Sequence, residues 1–163
     1  MRKIIDENSK LENRSTSRLP TFEPEWLEKI KGSIDFLGLN HYTTQLVKPI
    51  NSSLENPNWQ SDSRTELSHD PQWPGTGSFW LKIVPWGLRK LLGWIKNEFN
   101  NIEVIITENG VSDKGGLEDN IRVEYFRGYI NEVLKAVKKD QCNVTGYLAW
   151  SLLDVYEWNV GHL

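Results

Sequence analysis

The chain has one cysteine and three histidines in 163 residues. A single cysteine, Cys142, excludes a disulfide bond within the chain and any metal cluster built on cysteines. The histidines, His41, His69 and His162, are scattered without the spacing of metal ligands. We therefore expect no metal site.

Long apolar runs are missing as well. No run approaches the roughly 20 residues that a membrane-spanning helix needs. The first eight residues lack the apolar segment of a signal peptide, so none is predicted from the sequence as written. A net charge of −3 gives no indication of nucleic acid or an anionic membrane as a partner.

The sequence does not determine the localisation or the oligomeric state of the protein. Three N-x-S/T sequons occur, at Asn13, Asn51 and Asn143. The chain is rich in Asn, Ser and Thr, so one or two sequons are expected by chance. They are weak evidence for a secreted or extracellular parent protein.

Tryptophan is unusually frequent, with eight residues. Large aromatic side chains are mostly buried, so a place in the core is the first interpretation for each of them. An excess of indole rings is also typical of a sugar-binding cleft, where pyranose rings stack on them. For Trp59, Trp73 and Trp80, which lie in or beside a long polar segment, we favour structural roles.

Hydrophobic periodicity predicts helices and strands in alternation. The predicted helices cover residues 2–11, 21–31, 85–99 and 119–139, and the predicted strands cover residues 33–44, 103–107 and 143–151. The buried face predicted for the last helix consists of Phe126, Ile130, Val133 and Val137. A long, polar, turn-rich loop is predicted from residue 45 to 78. This order is typical of a parallel α/β sheet, and three strands are too few to close a barrel.

The most informative stretch is the strand at residues 103–107 together with the turn after it. The strand is apolar and β-branched, and Glu108 stands at its carboxyl end before an Asn109-Gly110 turn. In an α/β barrel, active-site groups lie at the carboxyl ends of the strands. The alternative is a surface glutamate beside an ordinary turn.

Polar and aromatic side chains end all three predicted strands. They are Asn40, His41 and Tyr42 at the first, Glu108 and Asn109 at the second, and Trp150, Asp154, Glu157 and Trp158 after the third. Retaining glycoside hydrolysis needs a carboxylate nucleophile, a second carboxyl group about 5–5.5 Å away and hydrogen bonds to the sugar. Glu108 fits the nucleophile, and the Tyr42 phenol is suited to donate a hydrogen bond to it.

Several blocks of the sequence, in this order, resemble the C-terminal part of family 1 glycoside hydrolases, the β-glucosidase, lactase and myrosinase group. The blocks are SRLPTF at 17–22, KGSIDFLGLNHYT at 31–43, VPWGLR at 84–89, ITENG at 106–110, GYLAWSLLD at 146–154 and EW at 157–158. The resemblance covers essentially the whole chain. It implies an α/β fold that is a partial (β/α)8 barrel, roughly strands six to eight with their connecting helices. Residues 1–163 would then be one portion of a single barrel domain, incomplete at both ends.

The resemblance also implies a role for each matched position. Glu108 would be the nucleophile of a retaining β-glycosidase acting on O- or S-glycosidic bonds, and Tyr42 would hydrogen-bond to it. Asn40 would lie beside the sugar, Trp150 would line the −1 subsite, and Glu157 and Trp158 would bind glycone hydroxyls. The substrate would be a β-glycoside, and no cofactor is implied.

The sequence departs from the family pattern in three ways. His41 stands where the family commonly has Tyr, and Val155 stands where it often has Asn. The Asn-Glu-Pro segment that carries the family's acid/base glutamate does not occur, so we expect the chain alone to be inactive. Two alternatives stay open: a non-catalytic sugar-binding or receptor-like relative, and an inactive truncated product. The presence of both Glu108 and Tyr42 favours the enzyme.

Overall fold

A computed structural model describes residues 2–51, 58–113, 115–158 and 161. In chain order, the elements are α1 Arg2–Leu11, α2 Pro24–Ile30, β1 Leu37–Asn40, β2 Leu46–Pro49, α3 Trp59–Ser63, β3 Thr65–Ser68, α4 Pro85–Glu98, β4 Val104–Asn109, α5 Asn120–Lys138 and β5 Val144–Ala149. They form two compact units, Met1–Ser33 with Gln45–Asp70 and Ile34–Thr44 with Pro71–Leu163. None of the helices in these residues is both long and apolar enough to cross a membrane.

The first unit contains α1, α2, α3 and an antiparallel hairpin of β2 and β3. The prediction of a long, polar, turn-rich loop over residues 45–78 is therefore wrong where β2, α3 and β3 form. Contacts between distant segments hold this region, and sequence periodicity does not show them. The buried Asp62 of α3 accepts hydrogen bonds from Arg18 and from Asn8 of α1.

The second unit contains a three-stranded parallel sheet in the order β1-β4-β5. The sheet is open, as predicted for three strands. Helices α4 and α5 begin within one residue of their predicted starts, because Pro85 suits a first turn and the Asp119 carboxylate accepts from the backbone N–H of Arg122. The core lies among β4, α4 and α5, with Leu88, Leu92 and Ile106 almost fully buried.

The buried face of α5 differs from the prediction. Tyr125, Tyr129 and Ala136 are fully buried, whereas Ile130 is half exposed. Phe126 and Val133 are partly buried against the core. The helix is therefore rotated by about one residue, because the hydroxyls of its two buried tyrosines find hydrogen-bond partners inside the protein.

Strand β1 is shorter than predicted. It ends at Asn40, although the backbone N–H of His41 still donates to the carbonyl oxygen of Glu108 at 2.9 Å. Beyond that point the chain leaves the sheet, because the Thr43 hydroxyl exchanges hydrogen bonds with the backbone of Lys82.

Candidate active site

The carboxyl ends of the three parallel strands meet at one edge of the sheet. Asn40 pairs with Glu108 in the register of β1 and β4, and Asn109 pairs with Ala149 of β5. The N–H of Trp150 then donates to the carbonyl oxygen of Asn109 at 2.8 Å. The polar residues predicted from the three strand ends therefore start from the same edge.

The closest contact at this edge joins Tyr42 and Glu108. The Tyr42 hydroxyl donates to Oε2 of Glu108 at 2.5 Å. Burial, this hydrogen bond, and the charges of Glu108 and Glu157 all raise the pKa of Tyr42, so the phenol stays protonated in the physiological range. The phenol therefore fixes one carboxylate oxygen of Glu108 and leaves the other for a different partner.

Asn40 lies beside this pair and is held by a neighbour on β4. The Thr107 hydroxyl donates to Oδ1 of Asn40 at 2.6 Å. Because the amide oxygen accepts this bond, the amide N–H groups of the exposed Asn40 are oriented to donate elsewhere. A hydroxyl-rich ligand at this edge offers suitable acceptors.

Three predicted residues lie in the segment after β5. The indole Nε1 of Trp150 points at Oε1 of Glu157 across 3.4 Å, a long contact between exposed side chains. The N–H of Glu157 donates to the carbonyl oxygen of Gly161 at 2.9 Å. Trp158 follows in the left-handed region at φ +48° and is 84 % exposed. The structure thus brings Trp150 and Glu157 together and leaves the Trp158 indole in solvent.

Trp80 is a site neighbour, although the sequence interpretation favours a structural role for it over a sugar-binding one. Its ring meets the ring of Tyr42 edge-on, with centroids 6.2 Å apart and planes at 77°. The indole is 44 % exposed, so part of its face is available to a ligand. Trp73, in contrast, packs edge-on against Trp86, in keeping with a structural role. The sequence signal for such a role is the excess of indole rings, which does not show which of them lies at the site.

His41 is buried behind the edge, next to the ring of Tyr129. Burial lowers its pKa from 6.5 to about 4, so the imidazole is neutral at physiological pH. Its Nδ1 atom makes no hydrogen bond within the part of the chain that the structure describes. This geometry indicates packing and does not fit proton transfer to a ligand.

Among residues 2–51, 58–113, 115–158 and 161, no three side chains of His, Cys, Asp or Glu are placed to hold a metal ion. The edge offers one oriented carboxylate, hydrogen-bonding amide and carboxylate groups, and indole rings. This set is suited to an uncharged polyhydroxylated ligand with an electrophilic carbon.

Comparison with known proteins identifies one matching family and relatives that are 42–43 % identical to this chain. A family model described as Glycosyl hydrolase family 1 matches residues 2–163. The chain is 43 % identical to Myrosinase 1 of Brevicoryne brassicae, covering 99 % of this chain and 35 % of that protein. It is 42 % identical to the cytosolic β-glucosidase of Homo sapiens, covering 90 % of this chain and 31 % of that protein.

Solved structures that resemble this chain belong to the same two kinds of protein, a myrosinase and a β-glucosidase. An aphid myrosinase superposes with a TM-score of 0.88 at 42 % identity, covering 99 % of this chain and 35 % of that one. A rice β-glucosidase superposes with a TM-score of 0.81 at 35 % identity, covering 88 % of this chain and 33 % of that one. The chain thus spans about a third of the length of these relatives.

Proposed function

The chain belongs to glycosyl hydrolase family 1, and we propose that it supplies the nucleophile and part of the glycone site of a retaining β-glycosidase. The family assignment confirms the resemblance of the sequence blocks. It also confirms the predicted fold, because a three-stranded parallel sheet with covering helices is a part of the (β/α)8 barrel of the family. That residues 1–163 belong to one continuous barrel domain stays a prediction.

The observation that carries the proposal is the 2.5 Å hydrogen bond from Tyr42 to Glu108 at the carboxyl edge of the sheet. A nucleophilic carboxylate needs one oxygen directed at the anomeric carbon, and a donor on the other oxygen sets that direction. A surface glutamate has no need of a partly buried phenol as a hydrogen-bond donor. A related rice β-glucosidase variant has been solved in a covalent complex with glucose, which agrees with a covalent route in the family.

The proposed reaction has two displacements. Glu108 attacks the anomeric carbon, the bond to the aglycone breaks, and the leaving oxygen or sulfur departs, the oxygen with a proton from an acid carboxyl group. Water then attacks the anomeric carbon of the glycosyl ester, and the bond to Glu108 breaks to release the sugar. After an oxygen leaving group, the proton of this water goes to the same carboxyl group, which the first displacement has left ionised. After a sulfur leaving group, which takes no proton, the water gives its proton to a carboxylate that is already ionised. The family's Asn-Glu-Pro segment does not occur in this sequence, so the proposal assigns the acid/base group to the part of the barrel outside these 163 residues.

We assign the neighbouring side chains to the sugar. Asn40 and Glu157 are placed to hydrogen-bond glycone hydroxyls, Trp150 lies against the −1 subsite, and Trp158 is assigned to the same group by its position in sequence. Trp80 packs edge-on against Tyr42, is partly exposed, and is assigned to the aglycone. The proposed substrate class is the β-glycosides.

The test uses a hybrid enzyme, in which this chain follows the first two thirds of the aphid myrosinase. A 2-deoxy-2-fluoro glycoside with a good leaving group should accumulate as an ester on Glu108, because the second displacement becomes limiting. Peptide mass mapping identifies the labelled residue. Glu108→Gln should lower kcat by several orders of magnitude.

The matched control is Glu103→Gln, just before the opposite end of the same strand, where the carboxylate accepts from Thr145. This variant should keep its rate and its label. A label on another carboxylate, or an unchanged rate in Glu108→Gln, contradicts the proposal. Sugar binding without any label would favour a non-catalytic sugar-binding protein.

A further inference from the structure

A buried hydrogen-bond network lies directly behind Glu108, on the other face of β4. Asn109 follows Glu108 in the strand, so their side chains point to opposite faces of the sheet. Asn109 is fully buried. Its amide nitrogen donates to the carbonyl oxygen of His41 at 2.7 Å and to the Tyr125 hydroxyl at 2.9 Å, and its amide oxygen accepts from the Tyr147 hydroxyl at 2.5 Å. The side chain therefore connects β4 with β5, α5 and the segment just after β1.

The network continues to the backbone of Tyr42. The Tyr125 hydroxyl donates to the carbonyl oxygen of Tyr42 at 2.9 Å, and the Tyr129 hydroxyl donates to the same oxygen at 3.2 Å. The two tyrosine rings of α5 stack with centroids 4.1 Å apart, which fixes both hydroxyls. Two consecutive carbonyl groups beyond β1, those of His41 and Tyr42, are thus held by side chains from β4 and α5.

This arrangement forms a closed path around the proposed nucleophile. From Glu108 the path runs through the next residue, Asn109, to Tyr125 and the Tyr42 backbone, and returns through the Tyr42 phenol to the Glu108 carboxylate. A shift of the Tyr42 backbone would move the phenol, and the phenol orients the carboxylate. Misplacement of a reacting group by about 1 Å can lower the rate about a hundredfold. The position of the Tyr42 backbone therefore affects the rate of the chemical step.

The network does not titrate in the working range. Burial raises the pKa of Tyr147 to about 12, and burial also raises the pKa values of Tyr125 and Tyr129. All three hydroxyls therefore remain protonated and able to donate. The amide of Asn109 supplies both a donor and an acceptor without charge, a combination that Asp lacks in its ionised form.

We propose that Asn109 and Tyr125 are positioning residues for the nucleophile: they hold the backbone of Tyr42 so that its phenol directs the Glu108 carboxylate at the anomeric carbon. The inference rests on the proposed function, and it deepens that function by assigning part of the nucleophile's orientation to the helix side of the sheet. The network acts on the first displacement and leaves ground-state sugar binding unchanged.

The test measures the rate at which a 2-deoxy-2-fluoro glycoside labels Glu108 in the hybrid enzyme. Tyr125→Phe removes one donor to the Tyr42 carbonyl and the acceptor for Asn109, while keeping the ring and its stacking. It should slow labelling about tenfold and leave the dissociation constant for glucose within about twofold. Asn109→Asp should slow labelling further, because its carboxylate cannot donate to the His41 carbonyl.

A double-mutant cycle separates positioning from general loss of structure. Tyr42→Phe removes the phenol through which the network acts, so adding Tyr125→Phe to it should change the labelling rate by less than about twofold. Asp140→Asn is the control for stability, since Asp140 pairs with Arg89 of α4 away from the carboxyl edge. It should lower Tm without slowing labelling.

Each outcome has one meaning. Additive effects of Tyr125→Phe and Tyr42→Phe overturn the inference and make the network structural only. A labelling rate that Tyr125→Phe leaves unchanged, in a folded variant, also overturns it. Absence of label in the unmutated hybrid enzyme overturns the proposed function, and the inference with it, whereas label on Glu108 with additive mutants overturns the inference alone.

Discussion

Gly110 and Trp150 are in backbone contact at the carboxyl edge of the sheet. A Cβ atom on Gly110 would lie 1.7 Å from the carbonyl oxygen of Trp150 and 2.8 Å from its carbonyl carbon. The glycine is required here for space, and its φ is not in the left-handed region. Because Gly110 has no side chain, it leaves room for the segment that contains Trp150 and Glu157.

Gly110→Ala in the hybrid enzyme should lower both stability and activity. The methyl group must displace the Trp150 backbone, and such overpacking lowers the free energy of unfolding by about 1–3 kcal/mol, occasionally more. Urea denaturation and kcat/KM on an aryl β-glucoside measure the two effects. Gly93→Ala is the control, because a Cβ there meets nothing within 4 Å and Ala is favoured in a helix by about 0.5–1 kcal/mol. An equally stable, active Gly110→Ala enzyme would contradict the close contact.

His41 should make stability depend on pH. Its pKa is about 4 in the folded protein, against an ordinary value of 6.5 that we take for the unfolded chain, so between these values the unfolded chain binds more protons. The contribution is fully present above pH 6.5 and decreases as the pH falls towards 4, by a total of about 3 kcal/mol. Denaturant midpoints of the hybrid enzyme between pH 4.5 and 7.5 should show this decrease.

The matched variant is His41→Phe, which removes the titrating group and keeps an aromatic ring beside Tyr129. Its stability should fall less than that of the parent over the same pH interval. Comparison at pH 7.5, where the imidazole is neutral, separates the change in packing from the change in protonation. Identical slopes for parent and variant would show that His41 is not the group responsible.

Glu157→Ala should reduce transition-state binding. If the carboxylate holds glycone hydroxyls, bonds that strengthen in the transition state are lost, and kcat/KM should fall by roughly 2–4 kcal/mol. The loss should not be confined to KM, and it should depend on the glycone used. Glu98→Ala, an exposed carboxylate at the end of α4, should have no such effect. A loss that is equal for all glycones would point to a structural role of Glu157.

Trp80→Ala should act on the aglycone. The indole lies edge-on to Tyr42 and is partly exposed, so its removal should lower kcat/KM for aryl glycosides by about 1–2 kcal/mol more than for short alkyl glycosides. The ratio between glycones should stay constant. Trp94→Ala removes a similarly exposed indole that packs on Phe99 and should change neither ratio. Altered glycone selectivity in Trp80→Ala would instead assign Trp80 to the −1 subsite.

The sequence predicted those parts of the fold that depend on local signals. Pro85 at the start of α4, the Asp119 cap of α5 and the β-branched run of β4 each act within a few residues, and their elements appear where expected. The Tyr42–Glu108 pair was predictable because parallel strands end at one edge. The hydrophobic pattern cannot show which polar atoms meet across the fold.

Three features of the structure are not predicted by the hydrophobic pattern. The α5 face was placed on Phe126 and Ile130, whereas the hydroxyls of Tyr125 and Tyr129 decide the rotation through the Tyr42 carbonyl. The β2–β3 hairpin lies within a segment predicted as a loop, since its polar composition suppresses the strand signal. The contact of Trp80 with Tyr42 joins residues 38 positions apart.

The chain expressed by itself should not be a working β-glycosidase. Within the described sheet, β1 and β5 each pair on one side only, and such open edges favour aggregation. Large apolar side chains after β5 are also uncovered, with Leu152 95 % and Leu153 76 % exposed. We expect an insoluble product or broad, non-cooperative thermal unfolding.

Hydrolysis of an aryl β-glucoside by the chain alone should stay at the background of its own Glu108→Gln variant, because the nucleophile lacks the acid/base carboxyl group that both displacements need. Adding the first two thirds of the aphid myrosinase as a separate polypeptide should restore cooperative melting and turnover if the two parts assemble. The contrary result is a chain that alone is soluble, melts cooperatively and shows turnover that Glu108→Gln abolishes. That result would contradict the proposal that the acid/base group lies outside these 163 residues. Asp154 or Glu157 would then have to serve as the acid/base group, and replacing each by its amide would identify which one does.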